Sequence, residues 1–321
     1  MTVPDSAPAD AVLIMGPTGT GKSELALTLA QEFPLEIVSV DSALVYRGLD
    51  IGTAKPTAAE RALTPHHLID VCDPAETYSA GRFLDDTLEL IPAIRRRCRI
   101  PLLVGGTMLY FRALMRGLAT LPPADSALRA RLDARARGDG WPALHAELAR
   151  VDPAAAARIQ PADGQRIQRA LEVFELTGET ISDRQRRVTA TSLRLSAHAL
   201  MPFTRDELYQ RLDRRFDAML AAGLVEEVRI LHRRGDLTPE LPSLRSVGYR
   251  QLWAYLEGRM TMTEAVAAAK RATRNLAKRQ LTWLRSEPVI PWMVGLEDQQ
   301  LAPIKSVLCD AAARSWTETL C

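Results

Sequence analysis

Gly16-Pro17-Thr18-Gly19-Thr20-Gly21-Lys22-Ser23 follows the apolar run Ala11 to Met15 and precedes the helix-like stretch Glu24 to Glu32. The order is strand, glycine-rich turn, helix. Gly16, Gly21, Lys22 and Ser23 satisfy the spacing G-x-x-x-x-G-K-[ST] of a phosphate-binding loop. Glycines let consecutive backbone N–H groups curl around phosphate oxygens with no Cβ in the way, and the helix N-terminus adds partial positive charge. Lys22 supplies a point charge, and Ser23 a hydroxyl suited to Mg²⁺.

Outward from this loop, Leu35 to Val40 is a β-branched run ending at Asp41, the second strand of a βαβ unit. Ligands of open α/β sheets gather at the C-terminal strand edge, so Asp41 is expected to face the crevice of the loop. Ser42 to Pro56 reads as loop and His66 to Val71 as a short strand. Tyr78 to Arg97 reads as a helix in which Pro92 introduces a kink. Ile100 to Val104 is a buried strand ending in Gly105-Gly106-Thr107, again at a strand C-terminus, and Leu109 to Met115 restarts a helix. Alternating strands and helices predict an α/β fold with a parallel sheet.

The texture changes at Leu121-Pro122-Pro123. Helices rich in alanine and arginine follow: Asp125 to Arg137, Trp141 to Arg150, Pro153 to Ile159 capped by Asp152, and Gly164 to Thr177 between caps Asp163 and Gly178. Ser192 to Met201 reads as a returning strand, and the chain from Arg205 to Ser286 reads as helical again, with a break at Gly223 and a loop from Leu241 to Gly248. The expected division is 1–120 for the first part of the core, 121–190 for a helical insertion and 191–321 for the rest. Residues 1–10 read as a frayed tail and the segment after Pro291 as peripheral.

A net charge of +2 is too small to announce a nucleic-acid partner, so the position of the charge must do so. In the helix Thr263 to Arg285, Val266, Ala269, Thr273, Leu276, Ala277, Gln280 and Leu284 form a mainly apolar stripe. Lys270, Arg274 and Lys278 recur at i, i+4 beside Arg271, with no acid interleaved from Lys270 to Arg285 to relieve their repulsion. A phosphate backbone would relieve it, and Arg166, Arg169, Arg245 and Arg250 add basic positions elsewhere. Cys72, Cys98, Cys309 and Cys321 stand apart with no C-x-x-C pair, as free thiols of a reducing compartment. Asp5 and Asp10 near the start and the absence of a long apolar run argue against a signal peptide or membrane span, so a cytoplasmic protein is expected. No N-K-x-D guanine signature is present. The hydrophobic strand that ends in an acid, Ile37 to Asp41, directly follows the first helix, which favours a transferase acting on a phosphate-bearing small molecule over an energy-coupling ATPase.

Beyond the loop, DSALVYRGLDIGTAKP (Asp41 to Pro56), HHLID (His66 to Asp70), PAETYSAGRF (Pro74 to Phe83) and PLLVGGTMLY (Pro101 to Tyr110) closely resemble the bacterial tRNA dimethylallyltransferases, or tRNA isopentenyltransferases. DGQRIQRALEV (Asp163 to Val173), LRSVGYRQLWAYLEG (Leu244 to Gly258) and TRNLAKRQLTWLR (Thr273 to Arg285) agree, so the resemblance runs from about Val12 to Trp292. Gly19-Thr20 stand where members often carry Ala-Ser, and Ser23 where they often carry Thr. Both changes keep the glycine-turn and hydroxyl logic.

The resemblance implies a P-loop NTPase-like core with a helical insertion that binds tRNA. It implies transfer of a dimethylallyl group from its pyrophosphate to N6 of adenosine 37, beside the anticodon. Gly16, Pro17, Thr18, Gly19, Thr20, Gly21, Lys22 and Ser23 would then hold the donor pyrophosphate with Mg²⁺ on Ser23. Adenine N6 is a weak nucleophile, and Asp41 is the expected general base. Thr107 is expected to orient the donor phosphate or the adenine. The tRNA-contacting stretches implied are Asp41, Ser42, Ala43 and Leu44; Gln165, Arg166, Ile167, Gln168 and Arg169; Arg245, Ser246, Val247, Gly248, Tyr249 and Arg250; and Thr273, Arg274, Asn275, Leu276, Ala277, Lys278, Arg279 and Gln280, together with Thr107 and Arg129. The target base must be extruded from the anticodon stem-loop, whose opposite sides the insertion and the basic helix are expected to clamp. A monomer is expected. The competing readings are a small-molecule kinase or AMP prenyltransferase, and a non-enzymatic RNA-binding ATPase; a small acceptor needs neither the basic helix nor the arginine-bearing insertion. His66-His67 invites a metal reading, but neighbouring strand residues point to opposite faces, which favours structural roles.

Overall fold

The computed structural model describes residues 8–188, 190–287, 290–295 and 297–317, and it divides into two compact units, 1–112 with 192–321, and 113–191. The first is built on a parallel six-stranded sheet. In chain order its first part runs β1 (Ala11–Met15), α1 (Lys22–Glu32), β2 (Leu35–Val40), α2 (Ala58–Leu63), β3 (His66–His67), α3 (Ala80–Arg96), β4 (Ile100–Gly105) and α4 (Met108–Arg116). Strand order is β3-β2-β4-β1, continued by β5 (Leu195–Met201) and β6 (Trp292–Val294). Each pairing is parallel, with Val12 opposite Leu102 on one side of β1 and Ser196 on the other. Central parallel strands are covered on both faces. Accordingly every residue of β1, β2 and β4 is buried, including Glu36, which is satisfied by Arg97 and His67.

Two sequence expectations change here. His66-His67 is a two-residue strand, because the chain turns out of extended geometry at Leu68 and Asp70, each with φ of 60°. The helix α3 forms as expected, with the exposed Pro92 inside it. The chain after Pro291 is not peripheral: β6 extends the sheet, and α14 (Asp298–Thr317) buries Leu301, Ile304 and Leu308 in the same core as Leu25, Leu29, Val12 and Leu102. Residues 1–7 of the expected tail, and Cys321, lie outside the described residues. Asp10, by contrast, is buried and bonded to Arg95 and Arg194.

The second unit is helical: α5 (Ser126–Asp139), α6 (Trp141–Val151), α7 (Pro153–Ala156), α8 (Gly164–Thr177) and α9 (Ile181–Arg186). Its starts are written locally, since Asp125, Asp152, Asp163 and Thr180 each accept a first-turn N–H at a helix N-terminus. Leu128, Leu132, Leu144, Leu148, Ile167 and Leu171 give it a core of its own. The chain then returns through β5 to α10 (Arg205–Ala221), α11 (Leu224–Arg233), α12 (Tyr249–Leu256) and α13 (Met262–Arg285) before β6 and α14. No described helix is long and apolar enough to cross a membrane.

Candidate active site

The C-terminal ends of three neighbouring strands deliver the reactive groups. After β1, the chain turns with Gly19 at φ 84° and Gly21 at φ 92°, conformations that a side chain resists. Gly21 caps α1 with no side-chain hydrogen bond, so the first-turn N–H groups remain for a ligand. Lys22 curls back and donates from Nζ to the Pro17 carbonyl at 2.7 Å. Enclosure by protein pulls its pKa down to about 7; the nearby Asp41 charge opposes this and Arg215 reinforces it. Ser23, one position on, is exposed.

At the end of β2, Asp41 Oδ1 accepts the Ala43 N–H at 2.8 Å, a local turn that fixes the carboxylate. At the end of β4, a Cβ on Gly105 would lie 2.0 Å from the Val40 carbonyl oxygen, so only glycine lets the two strand ends close up. Thr107 then lies against the Asp41 loop: its N–H donates to Val40 O at 3.1 Å, and its Oγ1 accepts the Ser42 N–H at 3.0 Å. Lys22, Asp41 and Thr107 are thus gathered at one edge, as their positions at strand ends implied.

Arg215 was not singled out from the sequence. It projects from α10 into electrostatic range of both Lys22 and Asp41; burial lowers its pKa and Asp41 raises it. The same helix packs on the loop: Arg211 donates to the Gly19 carbonyl at 3.2 Å, and a Cβ on Gly19 would lie 2.8 Å from Leu212. Arg211 and Arg215 stand one turn apart beside the buried stripe Leu208, Leu212 and Phe216, which was the available signal. Nothing local says which neighbour that face meets. Beside Arg215 opens a groove of about 680 Å³ lined by Ile51, Lys55, Asp70, Ala218 and Met219. Its floor is rigid. Lys55 Nζ reaches Tyr46 O, Asp50 and Asp70, and Glu227 accepts the N–H groups of Asp50, Ile51 and Gly52.

The residues implied as tRNA contacts divide by exposure. Gln165, Arg166, Arg245, Arg250, Asn275, Lys278 and Arg279 are exposed, and Ser42 lies exposed beside Thr107. Others are buried or bonded within the fold. Ile167 is core of the helical unit, Ala277 is buried on α13, and Gly248 and Tyr249 are buried, with the Tyr249 hydroxyl bonded to Glu227 and Gly52 N–H. Arg129, whose side chain is 40% exposed, bonds the fully buried Glu172 through both Nε and Nη2, and Arg169 holds the same carboxylate. Burial alone would raise the Glu172 pKa, but the two guanidiniums hold it below the usual carboxylate range. Gln168 bonds Asp133.

The basic face of α13 is also partly relieved from within. Acids absent along the helix come from α10, where Asp217 pairs with Lys270 and Asp213 with Arg274. Lys278 and Arg279 have no ion pair among the described residues, and with Asn275, Thr282 and Trp283 they line a surface hollow of about 540 Å³. His66 bonds the Thr64 carbonyl and His67 bonds Glu36, so the histidine pair braces the sheet edge.

A family model described as IPP transferase matches residues 44–287, and one described as isopentenyl transferase matches 9–70. The tRNA dimethylallyltransferase of Bordetella petrii is 58% identical over 287 residues, covering 88% of this chain and 91% of its own. That of Methylococcus capsulatus is 55% identical over 306 residues, covering 92% and 97%. Among solved structures, the full-length tRNA isopentenylpyrophosphate transferase of Bacillus halodurans is 37% identical with a TM-score of 0.69, over 97% of this chain and 99% of that one. A eukaryotic dimethylallyltransferase, described as acting on tRNA, is 28% identical with a TM-score of 0.75, over 91% and 75%. A family model spanning most of the chain, near-full-length relatives more than half identical and the shared P-loop core agree: the chain belongs to the tRNA dimethylallyltransferase family and is a prenyltransferase.

Proposed function

We propose that the P-loop holds the pyrophosphate of dimethylallyl pyrophosphate and that Asp41 is the general base for its transfer to N6 of adenosine 37 in tRNA. One observation carries this reading. The cradle with Lys22, the Asp41 carboxylate and the Thr107 hydroxyl occupy the ends of adjacent strands, with Arg215 in electrostatic range of the first two. In the reaction the N6 lone pair forms a bond to C1 of the donor, and the C1–O bond breaks with its electron pair going to pyrophosphate. The charge that develops there meets Lys22, Arg215 and the uncapped N–H groups of α1. Asp41 Oδ1 is occupied by the Ala43 N–H, and Oδ2 has no partner among the described residues, so Oδ2 is the atom that takes the N6 proton. Thr107, tied to Ser42, holds the edge on which donor and base meet.

Ser23 suits Mg²⁺: it offers an exposed hydroxyl oxygen at the loop's end, and the described residues contain no His/Cys/Asp/Glu cluster that would build an all-protein cage. Mg²⁺ bound to phosphate substrates takes most of its ligands from the phosphates and water. When bound, the ion would neutralise pyrophosphate charge. The exposed Arg166, Arg245, Arg250, Lys278 and Arg279 supply cations for the tRNA backbone.

Incubation with labelled dimethylallyl pyrophosphate and a choice of AMP or unmodified tRNA should label the tRNA. The variant Asp41→Asn should lower kcat by about 10²–10⁴-fold with tRNA affinity retained. Near-wild-type turnover of that variant would remove Asp41 from the base role.

A further inference from the structure

Gln280 lies on α13 directly after the exposed Lys278 and Arg279, within a stretch implied to contact tRNA, yet its side chain is 8% exposed. Both ends of its amide are in use. Oε1 accepts the Thr18 N–H of the P-loop at 3.0 Å, and Nε2 donates to the Gly106 carbonyl at 2.7 Å. These two partners belong to the loop after β1 and the turn after β4, and α13 is far from both in sequence. Gly106 is shaped to receive the amide, since a Cβ there would stand 2.5 Å from Nε2 and 3.2 Å from the Gly16 carbonyl oxygen.

The consequence is geometric. A P-loop presents its N–H groups to phosphate only while its backbone keeps one conformation, and the Thr18 N–H is anchored to a side chain from another element. The residue after Gly106 is Thr107, whose hydroxyl is tied to the Asp41 loop through Ser42. One buried amide therefore spaces the phosphate cradle from the edge that carries the base. A carboxylate could accept from Thr18 but could not donate to Gly106, and a thioether is at best a weak acceptor for Thr18 and has no proton to donate to Gly106.

We propose that Gln280 is a positioning residue for prenyl transfer, holding the P-loop and the Gly106–Thr107 turn in register, so that its role is toward the donor and not toward tRNA. The proposal rests on the reading that the P-loop holds the donor pyrophosphate. Positional errors of about an ångström cost on the order of 10²-fold in rate.

The test uses two near-isosteric variants that keep the packing, Gln280→Met and Gln280→Glu, with Lys22→Met in parallel. For Gln280→Met, kcat should fall by about tenfold or more and KM for dimethylallyl pyrophosphate should rise by about tenfold, while the tRNA Kd measured without donor stays within about twofold. Gln280→Glu, normalised to wild type at each pH, should recover as pH falls. Its protonated carboxyl can accept from Thr18 and donate to Gly106 at once, a recovery that packing alone would not produce. Unchanged kcat and donor KM in Gln280→Met, or a defect confined to tRNA Kd, would overturn the proposal. If Lys22→Met raises donor KM and Gln280→Met does not, only the role of Gln280 falls. If Lys22→Met leaves donor KM unchanged, the P-loop reading falls and takes this proposal with it.

Discussion

Lys22 carries a charge that depends on its occupant. Burial outweighs the attraction of Asp41 and brings its pKa down to about 7. A free lysine holds its proton to about pH 10.4, so the unfolded chain binds more protons than the folded one between about 7 and 10.4, and ligand-free stability rises with pH across that window. Donor affinity moves the other way, since pyrophosphate binds the ammonium form. At pH 8 the binding of dimethylallyl pyrophosphate without tRNA should take up most of one proton, read as a dependence of the calorimetric enthalpy on the ionisation enthalpy of the buffer. Lys22→Met should abolish the dependence, and a wild-type enthalpy indifferent to buffer would refute the shifted lysine. The identity of Lys22 was legible because the motif is local. Arg215 was not, because its relation to Lys22 exists only once α10 lies across the loop.

At the scale of the element, α13 shows how a charge pattern is partitioned. From the helix alone Lys270, Arg274 and Lys278 look equivalent. In the fold, Lys270 and Arg274 answer acids on α10, and Lys278 and Arg279 face outward. The double variant Lys278→Glu/Arg279→Glu should therefore weaken tRNA binding by about tenfold or more and flatten the slope of log K against log salt by about 1–2, with little change in melting temperature. Lys270→Glu/Arg274→Glu should lower the melting temperature, because it sets like charges against Asp217 and Asp213. Equal salt slopes for both variants would contradict the partition. The helical unit makes the same point from the other side: Arg169 meets the buried Glu172 at i, i+3 within α8, but Arg129 reaches it from α5, a pairing that no local pattern encodes.

For the whole molecule, the C-terminal segment matters most. Read as sequence it was peripheral; in the fold, Ile304 and Leu308 are fully buried against α1 and the central strands. Ile304→Ala should cost about 2–5 kcal/mol of stability, measured as a lowered denaturant midpoint at constant m-value. A loss within about 0.5 kcal/mol, as for a surface change, would return α14 to the periphery.

The sequence alone determined the strand–loop–helix cradle, the acid and threonine at strand ends, the parallel sheet and the capped helices of the insertion. Each follows from interactions within a few residues: backbone freedom at glycine, alternation of apolar runs, side-chain oxygens over helix N-termini. Only tertiary structure decided that Arg215 overlooks Lys22, that Gln280 ties the cradle to the Gly106–Thr107 turn, that Glu227 holds the 50–52 loop, and that α14 closes the core. Those contacts join residues separated by long stretches of chain, and their partners are chosen by packing, which a local pattern does not encode.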